Sequence, residues 1–130
     1  MATNFLSNPQ ALGNVTVTTP GTPVQITLAL QSTASGSGFV VNSATDQVLC
    51  NLISILASPI THSGAGNTGN IFIGSKNMVR ATLAGVYAVI SATGSFSWTV
   101  NVAVNAFDAN TFWLDSDTAG DGLYGSLFTI

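Results

Sequence analysis

The feature that most constrains the fold is a strict alternation of apolar residues with polar or small ones over residues 96–104. A period of two places the apolar side chains on one face of a β-strand, whereas an amphipathic helix needs them three and four positions apart. Two earlier segments, residues 15–17 and 24–30, repeat the alternation. The sequence therefore predicts a chain built from half-buried strands. The apolar members of the longest run are Phe96, Trp98, Val100, Val102 and Val104.

Segments rich in glycine, proline, serine and asparagine divide the chain into about eight short strands, with turn signals at residues 19–23, 32–38 and 61–70. Residues 48–57 also fit one face of a helix, but their β-branched residues and the following Pro59 favour a strand. This spacing is typical of an antiparallel β-sandwich or jelly roll. We predict a single all-β domain over residues 14–130, preceded by a short N-terminal arm, residues 1–13.

Charge is scarce, since charged residues make up 5% of the 130-residue chain against roughly 25% in ordinary soluble domains. Lys76 and Arg80 are the only Lys or Arg residues, and the net charge is −3. Nucleic acid is excluded as a partner because neutralising phosphates takes several cations. No apolar run reaches the 18 or so residues of a membrane helix, and the first residues lack a signal peptide's charged and apolar regions. We expect a cytoplasmically made protein whose uncharged surface favours association with other proteins.

A glycine pattern over residues 64–69 matches the spacing of dinucleotide-binding loops. Such loops follow a strand and open a helix whose N-terminus holds the pyrophosphate. Here the pattern comes before a predicted strand and no helix follows, so we interpret it as a loop and predict no cofactor.

Three carboxylates, Asp115, Asp117 and Asp121, surround a glycine turn and are the candidate ligands for a hard cation such as Ca²⁺. An EF-hand loop needs a side-chain oxygen at its fifth position and a bidentate Glu at its twelfth, where this chain has Ala119 and Ser126, so that match fails. The alternative is a solvated turn that joins the last two strands, and we predict no metal. His62, the only histidine, has no recognisable nucleophile or acid partner, and we predict no enzymatic activity.

Phe112 and Trp113 are neighbours in a predicted strand, so their side chains face opposite sides. One of the two is expected outside the domain's own core, where it is a candidate interface anchor or a sugar-stacking platform.

Three segments, residues 20–25, 67–74 and 112–122, together with the closing alternating strand resemble small virion structural proteins of tailed bacteriophages, especially capsid decoration (cement) proteins. The resemblance implies a non-enzymatic, commonly trimeric coat component that binds the major capsid protein on the outer surface of the head. It would be assembled in the host cytoplasm and located in the virion. In that setting Phe5 and Leu6 of the arm are candidates for an inter-subunit hook.

Three alternatives stay open. The first is a phage tail or head-fibre component that contacts the host. The second is a carbohydrate-binding β-sandwich module that uses an exposed aromatic residue and the acidic turn. The third, a secreted surface adhesin, is disfavoured because no signal peptide is recognised.

Overall fold

The structure is a computed structural model that describes residues 8–27, 49–57, 66–99 and 107–129. Over these residues the chain forms nine strands and one turn of 3₁₀ helix, Ala109–Thr111. The strands are β1 (Asn8–Thr16), β2 (Val24–Gln25), β3 (Leu49–Ala57), β4 (Ile71–Val79), β5 (Ala84–Ile90), β6 (Ser95–Thr99), β7 (Phe107–Asp108), β8 (Trp113–Ser116) and β9 (Gly122–Thr129).

The strands form two antiparallel sheets. One sheet has the order β1-β9-β3-β6, and the other has the order β2-β8-β4-β5. The short strand β7 belongs to the first sheet, where it pairs with the start of β3, next to the part of β3 that pairs with β6. The last strand in the sequence therefore lies between β1 and β3 rather than at an edge. The prediction of an all-β fold with about eight antiparallel strands is confirmed.

A single hydrophobic cluster joins the two sheets and explains why they pack face to face as a sandwich. β1 and β9 supply one side and β4 and β8 supply the other. Ile71 and Ile73 follow the period of two, whereas Leu12 and Val15 are three positions apart because the register of β1 shifts between Ala11 and Gly13. Fully buried side chains in this cluster include Leu12, Leu123, Leu127, Ile71, Ile73 and Leu114.

β1 begins at Asn8, although the sequence places residues 8–13 in an N-terminal arm. These residues pair with β9 from Asn8↔Thr129 onwards, with a register irregularity between Ala11 and Gly13. Backbone pairing to a neighbouring strand needs no side-chain alternation, so the irregular pattern around Pro9 and Gly13 concealed the strand. Residues 1–7 of the predicted arm lie outside the described residues.

The segment with competing helix and strand interpretations, residues 48–57, forms β3 over Leu49–Ala57. The long alternating run begins as β6 over Ser95–Thr99, and its continuation at residues 100–106 lies outside the described part of the chain. The short apolar run at residues 71–74 is the start of β4, which extends to Val79.

Candidate functional site

The turn that carries the three candidate metal ligands is fastened to the loop that carries the glycine pattern. The Asp121 carboxylate accepts hydrogen bonds from the backbone N–H groups of Thr68, at 3.1 Å, and Gly69, at 2.6 Å. The Asn67 side chain donates to the Gly122 carbonyl at 2.7 Å and accepts from the Gly122 N–H at 2.9 Å. The Asn67 side chain thus makes the pair of hydrogen bonds with the Gly122 backbone that a neighbouring strand would otherwise make.

Asp117 takes part in the same contact between the turn and the glycine loop. Its carboxylate accepts a hydrogen bond from the Asn70 N–H at 3.0 Å. A Cβ atom at Gly69 would overlap with the Asp117 Oδ1 atom, so the two segments can approach this closely only because residue 69 is glycine.

Asp115 has different partners, on the outer face of the four-stranded sheet. Its side chain is 1% exposed and pairs with the Arg80 guanidinium, with 2.9 Å between Oδ2 and Nε. It also accepts the backbone N–H groups of Gly21, at 3.0 Å, and Ser116, at 2.8 Å. This carboxylate connects the corner between β1 and β2 with β8 and the end of β4.

The structure does not bring the three carboxylates together as a metal site. No group of three His, Cys, Asp or Glu side chains among the described residues is arranged to hold a metal ion. Asp121 is 3% exposed and bonded to backbone N–H groups, so the solvated turn expected as the alternative is in fact partly buried. Within the described part of the glycine loop, the N–H groups of Thr68 and Gly69 are donated to the chain's own Asp121 carboxylate.

A cleft of about 470 Å³ lies beside the Arg80–Asp115 ion pair. It is lined by Gly21, Phe72, Met78, Val79, Arg80, Ala81, Asp115 and Asp117. The Arg80 guanidinium carbon lies 5.9 Å from the centre of the Phe72 ring. The Asp115 carboxylate is bonded to Arg80 and to the N–H groups of Gly21 and Ser116. The ion pair therefore forms part of the wall of this cleft.

A second cleft, of about 250 Å³, is almost entirely aromatic and lies between the edge strands β5 and β6. We call it the aromatic cleft; it is lined by Tyr87, Trp98, Phe107, Thr111 and Phe112. Tyr87 and Trp98 are 51% and 46% exposed, whereas Phe112 between them is 5% exposed. All three aromatic neighbours contact the Phe112 ring edge to face, with centroids 5.4–6.3 Å apart.

The structure places the two adjacent interface candidates, Phe112 and Trp113, in different environments. Phe112 packs in the core, while Trp113, the first residue of β8, is half-buried and has the Lys76 ammonium 5.7 Å from its ring centre. The candidates Phe5 and Leu6 lie outside the described residues, as does His62. The aromatic cleft was not recognised in the sequence, because its walls come from separate strands whose alternation indicates only core packing.

Three half-exposed aliphatic side chains lie on the hairpin formed by β4 and β5: Val79 and Leu83 beside its turn, and Val89 further along β5, opposite Phe72. Val79, Leu83 and Val89 are 48%, 53% and 45% exposed. Leu83 ends the four-residue turn between the paired residues Val79 and Ala84, and it has a left-handed backbone with φ 61°. We call these three residues the hairpin strip.

Comparison with protein-family models, curated proteins and solved structures gave no match. The structure shows no helix, within the residues it describes, that is long and apolar enough to span a membrane.

Proposed function

We propose that this chain is a structural protein of a bacteriophage particle, a decoration protein that binds the outer surface of an assembled capsid. The hairpin strip is the observation that carries the proposal, because three large aliphatic side chains at one hairpin are each about half exposed. The sequence resemblance described above supplies the phage context. The activity proposed is adhesion and not catalysis.

Leu83 combines two unfavourable features at the tip of that hairpin. A leucine with a left-handed backbone costs about 1–2 kcal/mol relative to the right-handed conformation, and glycine or asparagine is the usual residue at such a position. Its side chain is also 53% exposed. Backbone strain of this kind is concentrated at binding sites, and a partner that covers Leu83 would account for a leucine here.

The surroundings of the hairpin strip determine the kind of contact. The sequence has no Asp, Glu, Lys, Arg or His from residue 81 to residue 107, a segment that includes both β5 and β6. Val79 adjoins Arg80, whose guanidinium is paired with Asp115. Binding through Leu83, Val89 and the uncharged segment would rest mainly on apolar burial, at about 25 cal/mol per Å², and on uncharged hydrogen bonds. A protein that binds only the assembled lattice also stabilises that lattice by mass action.

The test uses heads of the phage that carries this chain, assembled without it, to which the purified protein is added. The bound copy number per head is measured by co-sedimentation. We expect occupancy to change less than about twofold between 0.05 and 1 M NaCl, because salt screens charges and leaves apolar contacts in place. Release at moderate NaCl would contradict the proposal.

The variant Leu83→Asn separates binding from folding. Asparagine tolerates the left-handed backbone, so we expect the free energy of unfolding to rise by about 1 kcal/mol while affinity for heads falls at least tenfold. Thr93→Ala, in the exposed turn between β5 and β6, is the control and should change neither. Unchanged affinity of the Leu83 variant would remove the hairpin strip as the binding surface.

A further inference from the structure

The aromatic cleft accepts an uncharged ring more readily than a sugar. Among the described residues that line it, four of five are aromatic and none carries a charge. The remaining residue, Thr111, already donates its hydroxyl to the Asp108 carbonyl at 2.7 Å. A sugar would find few hydrogen-bond partners here, whereas an aromatic ring would complete the edge-to-face contacts that surround Phe112.

The N-terminal segment of the chain has the matching composition. Residues 1–7, which lie outside the described part of the chain, contain no charged side chain and carry one aromatic residue, Phe5. We propose that the aromatic cleft binds this segment from a second copy of the chain, with the Phe5 ring between Tyr87 and Trp98. The inference does not depend on capsid binding.

Strand register places the segment at the correct end of the sandwich. Asn8 pairs with Thr129, Thr129 pairs with Cys50, and Cys50 pairs with Phe107, which lines the cleft. These four residues form one row across the sheet. The chain that precedes Asn8 therefore leaves β1 at the end of the sheet where the aromatic cleft lies.

Chain reach favours a second copy over the same copy. Three strand spacings separate Asn8 from Phe107, which is about 14 Å. Phe5 is three residues before Asn8, and three fully extended residues span at most about 11 Å. The backbone of Phe5 thus falls short of Phe107 even when the segment is fully extended, and only the length of its side chain narrows the gap. The cleft of an adjacent copy is under no such limit.

An exchange of this kind is head to tail, since the segment of one copy enters the cleft of the next. Such interfaces close into rings when the rotation between copies allows it.

Photo-crosslinking of the full chain tests the proposal directly. Phe5 is replaced by p-benzoylphenylalanine, ordinary and ¹⁵N-labelled copies are mixed, and crosslinked peptides are identified by mass spectrometry. We expect crosslinks between light and heavy chains at Tyr87, Trp98 or Phe107. Crosslinks within one chain only, or at residues away from the cleft, would overturn it.

Sedimentation velocity of purified variants gives a second readout. Phe5→Ala should weaken self-association at least tenfold, Phe5→Tyr should retain it, and the control Thr3→Ala should leave it unchanged. Self-association of Phe5→Ala equal to that of the unmodified chain would overturn the proposal. So would saturable binding of a glycan that Trp98→Ala abolishes, since the cleft would then be a sugar site.

Discussion

Asp121 stabilises the chain by accepting backbone N–H groups from a loop 52 and 53 residues earlier in the sequence. Its side chain is almost completely buried, so these hydrogen bonds replace those that water gives to an exposed carboxylate. Bonds to a charged acceptor are stronger than those between neutral groups. One residue therefore holds together two segments that sequence patterns alone present as separate sites.

Asp121→Asn tests this role without changing the side chain's size. An Asn oxygen at the position of Oδ2 can still accept from the Thr68 and Gly69 N–H groups, but its NH₂ then faces the Thr68 N–H, donor to donor, and the negative charge of the acceptor is lost. We expect this to cost about 1–3 kcal/mol. Asp117→Asn, at an exposed position of the same turn, is the matched control and should cost no more than about 0.5 kcal/mol. Denaturant unfolding measures both, and equal losses would contradict the special role of Asp121.

At the scale of elements, the Arg80–Asp115 ion pair connects the corner after β1, the end of β4 and β8. Asp115 is 1% exposed and Arg80 is 26% exposed. The Arg80 guanidinium therefore supplies the positive charge that this buried carboxylate needs as a partner. The guanidinium also covers the Phe72 ring. The two sequence-distant segments, residues 18–22 and 113–116, depend on the same cation.

Arg80→Met should therefore cost about 3 kcal/mol of unfolding free energy, because it leaves a buried charge without its partner. Lys76→Met replaces the chain's other cation at an exposed position of β4, and should change stability by about 0.5 kcal/mol or less. The comparison is made by urea unfolding. A small effect at Arg80 would show that the Gly21 and Ser116 N–H groups suffice to compensate Asp115.

Much of the secondary structure could be predicted from the sequence, because strand alternation and turn residues are local signals. The strand order could not, since β9 pairs with β1 and β3 and nothing local specifies those partners. The same limit applies to the candidate sites. The period of two required Phe112 and Trp113 to face opposite ways, but the 3₁₀ turn and the start of β8 determine that Phe112 is the buried one.

On the scale of the whole molecule, stability depends on the core between two sheets and on a few specific polar contacts rather than on surface charge. The chain has seven charged residues, two basic and five acidic. Among the described residues the ion pair given by the structure is largely buried, and buried pairs are screened by salt much less than exposed ones.

We therefore expect the free energy of unfolding to change by no more than about 1 kcal/mol between 0.05 and 0.5 M NaCl. Urea titrations at several salt concentrations measure this. A steep loss of stability with NaCl would mean that exposed charges contribute more than their number suggests.

The central position of β9 has a consequence for synthesis of the protein. β1 and β3 both pair with β9, so a ribosome-bound chain that has not yet emerged through residues 122–129 holds two long strands without the partner that joins them. The five-stranded sheet can close only after that segment is free. Assembly contacts on the finished sandwich are thereby delayed until translation has passed residue 129, and the nascent chain depends on other means to avoid pairing with its neighbours.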